Sequence, residues 1–120
     1  MHIAKQSLPQ FVANLRAALP LLQRPRELDR NALVESKLAA GEGATGLVRA
    51  VEAACARLEA SPGYAGSGRL LRVTYLGTAV KQEAAAAELN MPFGTYRHRL
   101  RRAIEELADE LWSATSPTEG

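Results

Sequence analysis

The chain has 120 residues, 47% of them apolar and 5% aromatic, with one cysteine and a net charge of +2. That length suits one domain with a core of its own, and the lone Cys55 excludes an internal disulfide framework and fits a reducing compartment. No apolar stretch approaches the roughly 20 residues that span a bilayer, and no basic segment followed by an apolar run opens the chain, so the expectation is a cytoplasmic protein without membrane contact.

Alanine supplies much of the apolar share and β-branched residues are sparse, a composition that suits packed helices rather than a sheet. In chain order, Ser7 and Gln10 form a capping-box signature ahead of Leu8, Phe11, Val12, Leu15 and Leu19, which recur at helical spacing. Pro20 ends or kinks that helix, and Pro25 opens a short second one over 25–30. Asn31 is placed to cap a third over 32–40, which the glycines of "GEGATG" stop. Thr45 is placed to cap a fourth, with Leu47, Val48, Val51, Ala54, Cys55 and Leu58 as its apolar stripe. On that stripe Cys55 reads as a small core residue. The stretch "SPGYAGSG" at 61–68 reads as a flexible connection.

Beyond it, 69–77 ("RLLRVTYLG") fits a helix ending on Gly77, although Val73, Thr74 and Tyr75 also suit a strand. A helix over 79–89 follows, with Thr78 as its cap, and a long one runs from Pro92 to about Trp112. Between them Asn90 suits the left-handed conformation that ends a helix. The expected fold is all-α with about seven helices. An N-terminal helical scaffold or oligomerisation region (1–62) carries a C-terminal helix-turn-helix (67–113) with a long recognition helix, followed by a disordered tail (114–120).

Charge is uneven along this plan. From Arg69 to Arg102 there are seven basic residues against two acids, and from Ala103 to the end five acids and no Lys or Arg. On a helical wheel Tyr96, Leu100, Ala103, Ile104, Leu107, Ala108 and Leu111 share one side of the long helix, while Thr95, His98 and Arg102 centre the other. Arg99 and Arg101 flank that face and Arg97 lies at the edge of the stripe. Arginine pairs bidentately with guanine edges or with phosphate, and threonine touches bases or backbone. Thr95, Arg97, His98, Arg99, Arg101 and Arg102 are therefore the candidate contacts to double-stranded DNA. Thr95, His98, Arg99 and Arg102 are expected toward the major groove, and Arg97 and Arg101 nearer the phosphates.

The stretch "EAAAAELNMPFGTYRHRLRRAIEEL" resembles the helix-turn-helix of the fourth conserved region of bacterial sigma factors. The likeness covers residues 78–112 and rests on Glu83, Ala84, Ala86 and Leu89 before the turn and on Gly94, Thr95, Arg99, Leu100, Arg102, Ala103 and Leu107 after it. Asn90 stands where that family has glycine, Pro92 where it has a capping serine, and Tyr96 where it has valine. The layout also resembles terminal modules of larger bacterial signalling proteins. The resemblance implies a DNA-binding module of a transcription regulator, with a second copy or a parent protein as further partner. The alternative from another class is a helical protein-interaction or adaptor module, in which the arginines form a solvated face with Arg101–Glu105 and Arg102–Glu106 pairs. There is no H-E-x-x-H, C-x-x-C, P-loop or G-x-S-x-G motif, so no catalytic residue, metal ligand or cofactor is expected.

Overall fold

The computed structural model of the chain describes residues 8–77 and 81–115. Among them there is no strand, and six α-helices appear: α1 (Leu8–Ala18), α2 (Pro25–Leu28), α3 (Gly43–Ala60), α4 (Ala65–Leu71), α5 (Gln82–Glu88) and α6 (Phe93–Thr115). The all-α class is as expected, with six helices rather than seven. The third expected helix is instead two 3₁₀ turns, Ala32–Glu35 and Lys37–Ala39. Ser36 lies between them in an extended conformation, and its hydroxyl accepts the amide of Leu38 at 3.2 Å, so the chain recaps itself within one turn. No described helix is long and apolar enough to cross a membrane.

Capping follows the sequence in places and departs from it in others. Asn31 caps the first 3₁₀ turn by accepting the amide of Leu33 at 2.8 Å, and its side-chain amide donates to the carbonyl of Asn14 at 3.0 Å. Pro25 takes the first position of α2, and Pro20 lies in the 3₁₀ turn that follows α1. Thr45 does not cap α3, which begins two residues earlier, at Gly43. The orphan amide of Ala44 is met by a carboxylate from elsewhere, Asp29 Oδ1 at 3.2 Å. Ser7 and Thr78, expected as caps, lie outside the described residues. α5 itself opens at Gln82, with Lys81 rather than Thr78 at its N-cap.

The buried side chains of both halves form one cluster. Phe11, Leu15, Leu47, Val51 and Leu58 from the first half lie in it with Leu71, Tyr96, Leu107 and Leu111 from the second. Phe11 meets Trp112 edge-on with ring centroids 5.1 Å apart, which ties α1 to the end of α6. Arg57 of α3 donates to Glu110 of α6 at the rim. Cys55 is fully buried on the α3 stripe.

The expected flexible connection at 61–68 is partly helix. α4 starts at Ala65, four residues ahead of Arg69, and takes in Gly68. A Cβ built on Gly68 would lie 2.8 Å from the carbonyl oxygen of Cys55 and 2.8 Å from the amide nitrogen of Glu59. Only a glycine lets the α4 backbone lie directly on the α3 backbone. Arg72 then clamps Glu59 with two hydrogen bonds, at 2.9 and 3.0 Å, and this pairing raises its pKa. From Arg72 to Leu76 the helix widens to a π-helical turn. The residues there, Val73, Thr74 and Tyr75, are the poor helix formers that also suited a strand. Gly77 ends the segment in an extended, not left-handed, conformation (φ −97°). The open carbonyls are met by Gln23, whose amide donates to Tyr75 at 3.1 Å and Gly77 at 2.9 Å.

Two expectations follow. Gly68→Ala should destabilise the chain by about 1–3 kcal/mol, since backbone atoms cannot yield to the added methyl. Gly66→Ala, where nothing lies within 4 Å of the new Cβ, should be neutral or stabilising by up to about 1 kcal/mol; urea unfolding of the two variants checks the opposite signs. Burial raises the Cys55 thiol from 9.0 to about 11 and the Tyr75 phenol from 10.0 to about 12. The native state therefore holds protons that the unfolded chain releases, and stability should fall as pH rises, from about 9 through 12. In Cys55→Ala the onset should move up to about 10, where the unfolded Tyr75 begins to ionise.

Candidate nucleic-acid interface

α5 is short and alanine-rich, and Ala85 and Ala86 are buried where larger side chains would hold its neighbours away. Asn90 takes the left-handed conformation at φ 56°. Its amide bonds the carbonyl of Ala87 at 3.0 Å, and the amide of Met91 reaches back to Ala86 at 2.9 Å. These two bonds are a Schellman closure, which satisfies the helix end and reverses the chain in very few residues. Pro92 sits one residue ahead of α6, and its carbonyl accepts the first helical bond, from Tyr96, at 2.9 Å. Proline cannot cap with a side chain, but its fixed φ suits this entry.

α6 has the two sides expected. Tyr96, Leu100, Ala103, Ile104, Leu107, Ala108 and Leu111 are all buried. Thr95, Arg97, His98, Arg99, Arg101 and Arg102 are all exposed. Tyr96, which replaces a smaller residue in the resembling family, is anchored by a 2.7 Å hydrogen bond between its hydroxyl and that of Thr74 in the π turn. Burial raises the pKa of this phenol, and the Thr74 contact opposes the rise.

The arginines differ in their partners. Arg97 lies over the ring of Phe93, one turn earlier, at 5.8 Å from its centre. Phe93 in turn stacks on Tyr96 at 6.0 Å. Arg102 pairs with Glu106 at 3.7 Å, as spacing along the helix suggests. The Arg101–Glu105 pair does not form; Glu105 faces Arg16 of α1 at 3.9 Å. Among the described residues Arg97, Arg99 and Arg101 have no acidic partner within 4 Å.

On one flank α6 faces the start of α4 across a groove of about 620 Å³. Arg69 and Ser67 line it from α4, and His98, Arg99, Arg102 and Glu106 from α6. The Ser67 hydroxyl donates to Oε1 of Glu106, whose Oε2 faces Arg102. Neither Arg69 nor Ser67 is evident from the pattern of α6, since both lie some thirty positions earlier. The signal that could have found them is the glycine pair around Ser67, Gly66 and Gly68. Arg97 over Phe93 was within reach of sequence, as an i, i+4 pair.

Comparison of the chain with protein-family models, curated proteins and solved structures finds no match. Among the described residues no group of His, Cys, Asp and Glu could hold a metal ion.

The Tyr96 anchor can be checked by two substitutions. Tyr96→Phe should cost about 1 kcal/mol, the net worth of one hydrogen bond whose partner is half-buried. Tyr96→Ala should cost about 3–5 kcal/mol, as expected for emptying a fully buried ring position. Thermal unfolding of both variants separates the hydrogen bond from the packing.

Proposed function

We propose that the chain is a DNA-binding module of a bacterial transcription regulator, with α5 and α6 acting as a helix-turn-helix and α6 as the recognition helix. One observation carries the reading. The first three turns of α6 turn one polar, cationic face to solvent, and among the described residues only Arg102 of its four arginines has an acidic partner within 4 Å. An arginine row meant only for solubility is commonly laced with carboxylates at i+4, and here the Arg101–Glu105 pair is not made. The Arg102–Glu106 pair is no obstacle. Arg102 is 74% exposed, and an exposed i, i+4 pair is worth only about 0.3–0.5 kcal/mol, less than one contact to a guanine or a phosphate.

The rows along α6 assign roles. Thr95, His98 and Arg102 hold the centre of the exposed face and meet base edges in the major groove. Arg97 and Arg101, four residues apart, form one flank, and Arg99 lies on the other; both flanks face phosphates. In this reading Arg99 is taken nearer the backbone than the sequence pattern alone suggested. Gly94 supports a close approach, since a Cβ there would meet nothing within the protein. A second copy of the chain, or a parent protein, would extend the short stretch of DNA that one α6 can read.

The test is a duplex titration at two salt concentrations. Wild type should bind with an affinity that falls steeply as salt rises, and Arg101→Ala should weaken all sequences alike and flatten the log–log salt slope by about 0.9. Arg102→Ala should also relax preference at one base pair, at a cost of about 1–3 kcal/mol on the preferred site. If wild type ignores duplex DNA at low salt, the arginines serve a protein contact instead, and the exposed Phe93 beneath Arg97 becomes its apolar centre.

A further inference from the structure

The groove between α4 and α6 is built by elements that are distant in sequence, and its lining has a definite chemistry. Three arginines line it, Arg69, Arg99 and Arg102, with His98 and one acid, Glu106. That carboxylate is already engaged. One oxygen accepts the Ser67 hydroxyl, the other faces Arg102, and the side chain is only 20% exposed. Arg69 and Arg99, by contrast, have no acidic partner within 4 Å among the described residues. Two exposed arginines without an acidic partner thus line one concavity from two helices, a charge arrangement that favours an anion between them. Guanidinium forks suit the tetrahedral oxygens of phosphate, which two of them can hold from two sides. The rim beside Arg69 is glycine backbone, at Gly63 and Gly66, where nothing stands within 4 Å of a built Cβ, so a bulky phosphoester can approach.

We propose that this groove is a phosphate seat, in which Arg69 of α4 and Arg99 of α6 together hold one phosphate group. Resting on the DNA-binding reading above, the natural occupant is a backbone phosphodiester of the duplex that α6 enters. Arg69 then extends the interface beyond the recognition helix and fixes the angle at which α6 lies. The Ser67–Glu106–Arg102 contacts keep Arg102 at the edge of the seat, available to the base edges. The same chemistry would accept a free phosphate, and the two sources are separable by experiment.

The full-length chain, labelled so that the arginine Nε–H signals are resolved by NMR, is titrated separately with a mixed-sequence duplex and with inorganic phosphate at low salt. The Arg69 and Arg99 signals should move together with the duplex. Arg69→Ala should flatten the log–log salt slope by about 0.9 on every sequence, Arg69→Lys should restore most of it, and Arg30→Ala, which lines no part of the groove, should serve as the charge control. Movement of both signals with the duplex alone assigns the seat to the DNA backbone, and movement with both ligands also supports it. Movement with phosphate and no duplex binding keeps the seat and overturns the DNA reading. Duplex binding that leaves the Arg69 signal and the Arg69→Ala slope unchanged overturns the seat and leaves the DNA reading standing. Silence of Arg69 toward both ligands overturns the seat as well.

Discussion

Tyr96, Leu100, Ala103, Ile104, Leu107, Ala108 and Leu111 bury one side of a 23-residue helix along most of its length, and the other elements are arranged around that contact. The first turns of α6 pack by the π turn, where Tyr96 finds Thr74. The last turns reach α1, where Trp112 finds Phe11. Because burial is the dominant favourable term in folding, this one seam holds both halves of the chain in a single core. It also settles which side of α6 faces solvent. Seven apolar residues committed inward leave the arginines no direction but outward, so the stability of the fold and the exposure of the cationic face have the same cause.

The second constraint is backbone contact between α3 and α4. At Gly68 the two helices touch with no side chain between them, and this approach places the start of α4 beside α6. Had the position carried a methyl group, α4 would stand off and the groove lined by Arg69 and Arg99 would widen. A π turn follows, from Arg72 to Leu76. Its looser hydrogen bonding leaves carbonyls at Tyr75 and Gly77 that Gln23 satisfies from the N-terminal half. A side chain from one half thus closes the end of an element in the other, a further reason why the two halves behave as one folded unit.

Charge is distributed so that acids meet bases mainly away from the exposed face. Glu59 holds Arg72, Glu110 holds Arg57 and Glu105 lies toward Arg16, each linking two elements of the core. Solvated pairs of this kind add little stability. Their consequence here is one of placement: carboxylates that could have neutralised the arginines of α6 are turned elsewhere, which leaves that face with a local positive excess out of proportion to the net charge of +2.

Local pattern was enough to establish the helical class, the turn at Asn90 and the two sides of α6. These depend on periods of three to four residues, on one residue able to adopt a left-handed conformation, and on apolar spacing, all of which are written in adjacent positions. Cys55 as a core residue was legible for the same reason. The early start of α4, the capping of α3 by Asp29, the failure of Arg101 to pair with Glu105 and the groove that joins Arg69 to Arg99 were not. Each depends on two groups far apart along the chain, and nothing in the neighbourhood of either names the other. Local preference sets which face a helix offers, but what that face meets is decided by long-range packing, where one glycine or one carboxylate from a distant segment outweighs the spacing rules of the helix itself.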